Sequence, residues 1–184
     1  MKFVKILGLV GVGIIAVISL ARWWMKPHQP SDQALVKRFY ARRADLDRLV
    51  VMLGEDSQMS RIAPDFLSTQ DSAAWPRPES QWGISRVRWD EYKRLFNRVG
   101  IDDGAVSGGK SKDALLIVYS WGIVPSGFSV GYLHCGQPDY GFVPSEPACA
   151  EQKDSGTGMY GHSTSFGYRY RKIAEGWFIL EQSN

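Results

Sequence analysis

No large excess of either charge marks this sequence. The formal net charge is +3, but that sign comes from the first thirty residues. Four of the 22 basic residues (Lys2, Lys5, Arg22, Lys26) lie there and none of the 19 acidic ones, so residues 31–184 hold 18 basic against 19 acidic, a net of −1. A face basic enough to bind nucleic acid is thereby excluded. Repeats and low-complexity tracts are also missing, which excludes a repeat architecture, and 184 residues predict one domain. Cysteines number only two, Cys135 and Cys149. Neither stands directly after the apolar N-terminal run, which excludes a lipoprotein.

That run, Ile6 to Ala21, is uncharged over 16 residues, with Lys2 and Lys5 before it and Arg22, Trp23, Trp24 and Lys26 after it. It is short of the ~20 residues of a membrane span. Trp23, Trp24 and Met25 extend it if Arg22 reaches back toward the headgroups, and tryptophan favours that interface. Residues 1–26 therefore read as a transmembrane segment or as a cleaved signal peptide with Ser19 and Ala21 at the cleavage position; the tryptophan pair favours the anchor. Gly8, Gly11 and Gly13 form no G-x-x-x-G pair, so helix dimerisation is not implied. The Lys/Arg count favours a cytoplasmic C-terminal side. The cysteines argue for export, and export is the expectation taken here: a single pass through the inner (cytoplasmic) membrane with a periplasmic domain.

Residues 27–30 (Pro-His-Gln-Pro) make a stiff linker to a domain over 31–184. Ser31 or Asp32 caps a helix whose apolar stripe is Leu35, Phe39, Leu46, Leu49, Val50 and Leu53, interrupted at Arg42 and stopped by Gly54. The basic cluster Lys37, Arg38, Arg42 and Arg43 offers a contact for anionic headgroups, but Asp45 and Asp47 interleave, which favours a solvated face. Residues 61–67 are ambiguous, and Ser68–Gln81 reads as a surface loop. A second helix spans about Val87 to Val99, with Trp89, Tyr92, Leu95, Phe96 and Val99 on one side and Gly100 as its stop. Ile101–Lys112 reads as a polar, glycine-rich connection.

The densest β-forming run is Ala114–His134, split at Pro125-Ser126-Gly127. It predicts a hairpin of Ala114–Trp121 and Phe128–His134, the first strand apolar on both faces. Ser165–Ile173 and Trp177–Glu181, joined at Gly176, predict a second hairpin in the same sheet, with Phe166, Tyr168 and Tyr170 alternating against Arg169 and Arg171. The ending Tyr170-Arg171-Lys172-Ile173, then Gly176-Trp177-Phe178-Ile179, resembles the terminal hairpin of many small uncharacterised bacterial proteins, some membrane-anchored. That resemblance covers the last hairpin alone and implies no functional residues.

Several motifs match by letter and fail on context. Gly104–Ser111 fits G-x-x-x-x-G-K-[ST], but no buried strand precedes it and a β-rich run, not a helix, follows. Ser107-x-x-Lys110 lacks the S-D-N and K-T-G companions of a β-lactamase. Gly127-Phe128-Ser129-Val130-Gly131 fits G-x-S-x-G, with His162 downstream as a base, yet Gly136 and Pro138 leave no room for the helix that a nucleophile elbow needs. Cys135 and Cys149, with His134 and His162, offer a zinc or redox site at a spacing unlike that of zinc modules. A disulfide closing the proline-rich loop between the cysteines is the favoured reading, with ~3 kcal/mol of stabilisation.

The fold class expected is α+β: an N-terminal transmembrane helix, then two helices on one antiparallel sheet of at least four strands. The function expected is a non-enzymatic, membrane-tethered interaction domain of the bacterial cell envelope. It needs no cofactor or metal, and Trp75, Trp82, Tyr140 and Tyr160 are its loop candidates for binding a protein partner. The alternatives are a serine hydrolase using Ser129 and His162, and an inhibitor or immunity protein for a secreted enzyme.

Overall fold

The hairpin expected near the middle of the chain is the middle of the sheet. A computed structural model describes residues 29–70, 72–74, 78–107, 113–123, 126–136, 160–163 and 167–183. In it β5 (Ala114–Ile123) and β6 (Ser126–His134) pair from Ala114↔His134 to Ile123↔Ser126, so both strands run closer to the turn than expected. The other strands are β1 (Met59–Ile62), β2 (Leu67–Thr69), β3 (Ser72–Ala74), β4 (Ala105–Ser107), β7 (Tyr160–Ser163), β8 (Tyr168–Ala174) and β9 (Trp177–Ser183). They form one sheet in the order β3-β2-β1-β4-β5-β6-β9-β8-β7, and every neighbouring pair is antiparallel. The terminal hairpin is β8–β9. Tyr168 and Tyr170 are buried and Arg169 and Arg171 are not, as the alternation predicted.

Among the described residues three helices, not two, cover one face: α1 (Asp32–Ala41), α2 (Arg43–Glu55) and α3 (Arg86–Val99). The single helix expected after Ser31 breaks at Arg42, whose φ of −126° and ψ of 20° are not helical. The stripe explains the break. After Leu35 and Phe39 the core-facing positions fall on Arg42 and Arg43, which cannot be buried as charges. The chain turns there, and Arg43 instead lays its guanidinium over the rings of Phe39 (4.9 Å) and Trp177 (5.3 Å) while holding Asp47. Ser31 caps α1 through the Ala34 amide, and Ser85 caps α3 through the Arg88 amide. Gly100 ends α3 at φ +67°, where a side chain would meet the Arg38 guanidinium.

Two segments read as loop or connection, and one left ambiguous, carry strands. The ambiguous piece after Met59 is β1 and the start of β2, the Ser68–Gln81 loop holds the rest of β2, β3 and a 3-10 turn at Glu79–Gln81, and the glycine-rich connection holds β4. Each strand has three or four residues, too short to show a period of two. The expected membrane segment lies outside the described residues. Among those described, no helix is long and apolar enough to cross a membrane.

The main core lies between helices and sheet. Leu35, Phe39, Leu46, Leu49, Tyr92 and Phe96 meet Leu116, Val130, Tyr132, Trp177 and Ile179 there, each buried. Each such side chain contributes about 1.5–3 kcal/mol by burial. The other face of the sheet carries a smaller buried cluster, including Leu115, Leu133, Phe178 and Leu180.

Two core phenols make the fold sensitive to alkali. Tyr92 donates to Asp56 (2.9 Å), and burial, then the Asp56 charge, push its ionisation far above the usual range. Tyr132 donates to the Leu35 carbonyl (2.8 Å), and burial pushes it up to about 12. An unfolded tyrosine ionises near ~10, so above that pH the unfolded chain holds fewer protons than the folded one and stability falls as pH rises. Between about pH 10 and 12 each phenol removes up to ~1.4 kcal/mol per pH unit. Urea midpoints measured across that range should fall more gently for Tyr132→Phe than for the parent; equal slopes would contradict this assignment.

Candidate functional site: a groove beside Cys135

The end of β6 is where polar chemistry gathers. His134 pairs with Trp177 of β9, and its ring meets the indole edge-on at 4.8 Å. The Cys135 amide donates to the Gly176 carbonyl (2.9 Å). The Gly136 amide donates to Asp113 Oδ1 (2.7 Å), a carboxylate only 1 % exposed. Asp113 thus holds the root of the loop that leaves Gly136. Sequence reasoning missed it; the available signal was an acidic residue directly preceding the most apolar strand.

Between this end of the sheet and α2 runs a groove of about 530 Å³, lined by Asp47, Val50, Val51, Gly54, Glu55, His134 and Gly136. Val51 is 52 % exposed, and a side chain at Gly54 would meet nothing within 4 Å among the described residues. The carboxylates at the rim are already engaged: both oxygens of Asp47 accept from Arg43 Nε (2.9 Å), and Glu55 pairs with Arg88 (2.6 Å). Arg88 also holds Asp56 (2.7 Å), which ties α2 to α3 below the groove. The result is an apolar strip whose rim carboxylates are each held by an arginine. It suits an apolar side chain of a peptide better than a small ion.

The sequence-derived candidates divide around this site. Ser129 lies inside β6, paired with Ser120 and Gln182, and not at a strand–turn–helix elbow. His162 lies in β7, and β9 and β8 separate β6 from β7. Three interstrand steps put their backbones about 14 Å apart, so Ser129 and His162 do not meet. The same separation, plus about 17 Å along the strands, keeps His162 from Cys135. Cys135 is disulfide-bonded, and Cys149 lies outside the described residues. No group of three or more His, Cys, Asp or Glu placed to hold a metal occurs among the described residues.

Of the aromatic candidates, Trp82 is not a free lip. It is half-buried, edge-on to Trp89 at 4.8 Å, with Arg86 over its ring. Tyr160 opens β7, paired with Arg171, so it is on an edge strand and not in a loop. Trp75 and Tyr140 lie outside the described residues. The phosphate-loop match begins at Gly104, where a Cβ would sit 2.2 Å from the Ile62 carbonyl oxygen. The following residues are β4, hydrogen-bonded between β1 and β5, so their amides do not form a phosphate cradle. Gly108–Lys110 and Ser111 lie outside the described residues, and Ser107 is buried. In the basic cluster, Arg38 donates to the Gly100 carbonyl (3.0 Å) and Arg43 holds Asp47, so both serve the fold.

No family model matches the chain, and no curated protein or solved structure matches it either.

Proposed function

We propose that this chain is a non-enzymatic interaction domain, tethered to the inner membrane by residues 1–26 and exposed to the periplasm. Its groove between α2 and the end of β6 receives an apolar segment of an envelope protein. The observation that carries the reading is the groove itself, an exposed apolar strip on α2 beside the disulfide-bonded Cys135. An engaged cysteine at the root of the loop fits an oxidising compartment. A bond from Cys135 to Cys149 would fix one wall of the groove by closing the loop that leaves it.

A photoreactive amino acid at position 51, in the full chain in native membranes, should give one discrete protein adduct. The same probe at Gln33, exposed on α1, should not. Equal labelling at both positions, or none at 51, would remove the groove from consideration. Thiol trapping followed by intact mass tests the compartment in the same preparation. A mass without thiol adducts supports export, and two trapped thiols would place the domain in the cytoplasm.

A further inference from the structure

We infer that the projecting end of the β5–β6 hairpin is a second membrane contact, seating Trp121 in the lipid headgroup layer beside the N-terminal span. This rests on the tethered reading above. Trp121 is 62 % exposed, although tryptophan is among the most costly side chains to leave in water. Its cross-strand partner Phe128 packs against the helix-side core, so Trp121 stands on the helix side of the sheet, beyond the helices. Among the described residues no strand flanks the ribbon past Phe128. On the β5 side the pairing of β4 covers Ala114–Leu116 and Gly104 and Asp103 bond Ile117, while on the β6 side β9 pairs as far as Phe128. The rungs Gly122↔Gly127 and Ile123↔Ser126 therefore project past the sheet. Such ribbons are marginal in water, and exposed sheet edges usually carry charge. Among the described residues the cleft here carries none: it is lined by Ser120, Gly122, Gly127, Ser129 and Gln182 around the two aromatics.

The start of α1 and the length of sequence before it point to a bilayer as the occupant. Asp32, at the start of α1, pairs with Arg171, and the Leu35 carbonyl accepts from Tyr132. Arg171, Ile179 and Tyr132 form one row across the sheet. Further along α1, Tyr40 donates to the Ile173 carbonyl and Phe39 meets Trp177. The helix thus runs from mid-sheet toward the Gly176 turn, with its first residue on the side nearer the hairpin end. From Trp24 to Ser31 an extended chain spans at most about 25 Å. From the Tyr132 row to Ser126 the ribbon covers about 20 Å. Trp23, Trp24 and Trp121 can therefore reach the same interfacial plane, where tryptophan is favoured.

The test uses the full chain in native membranes, with a photoreactive amino acid at position 121 or at Glu175, on the opposite end of the sheet. Carbonate extraction is run in parallel. Lipid adducts at 121, absent at 175, from a chain that resists carbonate are the expected result. A chain that resists carbonate but gives no lipid adduct at 121, or equal adducts at both positions, overturns the contact while leaving the tether standing. Release by carbonate overturns the tether and the contact together. A protein adduct at 121, whether a partner or a second copy of this chain, assigns the tip to that occupant instead. An independent check keeps the native side chain: quenching by lipids brominated near the headgroup should fall in Trp121→Phe, and unchanged quenching counts against the contact.

Discussion

Gly131→Ala should leave little folded protein, whereas Gly127→Ala should melt close to the parent. Both glycines belong to the G-x-S-x-G match in β6, so the pair separates packing from motif. At Gly131 a methyl group would sit 2.2 Å from the Leu116 carbonyl oxygen, 3.0 Å from its carbon and 3.1 Å from the Ile117 Cα. All three atoms are backbone of β5, at the irregularity where the register skips between Ile117 and Tyr119. No rotamer change relieves such a clash. The central hairpin has to open, and the cost should exceed the ~1–3 kcal/mol typical of overpacking by a side chain. At Gly127 the nearest atom is the Trp121 carbonyl oxygen at 3.6 Å, an ordinary contact. Soluble yield and thermal unfolding of the two variants decide the matter. A well-folded Gly131→Ala protein would show that β5 and β6 do not approach this closely.

The same comparison shows why the motifs misled by letter and not by context. Gly131 and Gly104 are both required where one backbone crosses another, which is a packing need that sequence patterns record identically to a catalytic one. What was legible is what repeats. The 3.6-residue stripe of α3, the β-branched run of β5 and the alternation of β8 all announced themselves, and they bring Tyr92, Phe96, Leu116, Val118 and Ile173 to the core. What was not legible is short or relational. β2, β3 and β4 have three residues each and exist because neighbouring strands offer them hydrogen bonds, β1 to β2, β2 to β3, and β1 and β5 to β4. The break at Arg42 could be suspected from the charged position in the stripe, but the answer to it, a guanidinium laid over Phe39 and Trp177, joins residues far apart in sequence. The groove is of the same kind. Val51, Gly54 and His134 have no common pattern until α2 is set against the end of β6.

Trp177→Ala should be the most damaging substitution that shortens a core side chain, and it should damage the groove as well as the fold. The indole is fully buried, with Phe39 at 5.4 Å, His134 at 4.8 Å and Arg43 at 5.3 Å from its ring. It is therefore the joint between α1, the start of α2 and the end of β6. Truncation of a buried tryptophan costs about 3–5 kcal/mol, including the cavity left behind. At ~2–4 °C per kcal/mol for a domain of this size, the midpoint should fall by roughly 6–20 °C. Trp177→Phe should lose much less. The buried indole Nε1 has no hydrogen-bond partner among the described residues, so phenylalanine gives up packing area but also removes a donor that is costly to leave unsatisfied, by about 1–3 kcal/mol. The groove gives the second readout. His134 lines it and leans on Trp177, so the alanine variant, studied well below its own midpoint, should still lose the adduct formed from position 51. The phenylalanine variant should keep that adduct. If the alanine variant labels as well as the parent, the groove does not depend on the ring stack, and the binding surface must lie on α2 alone.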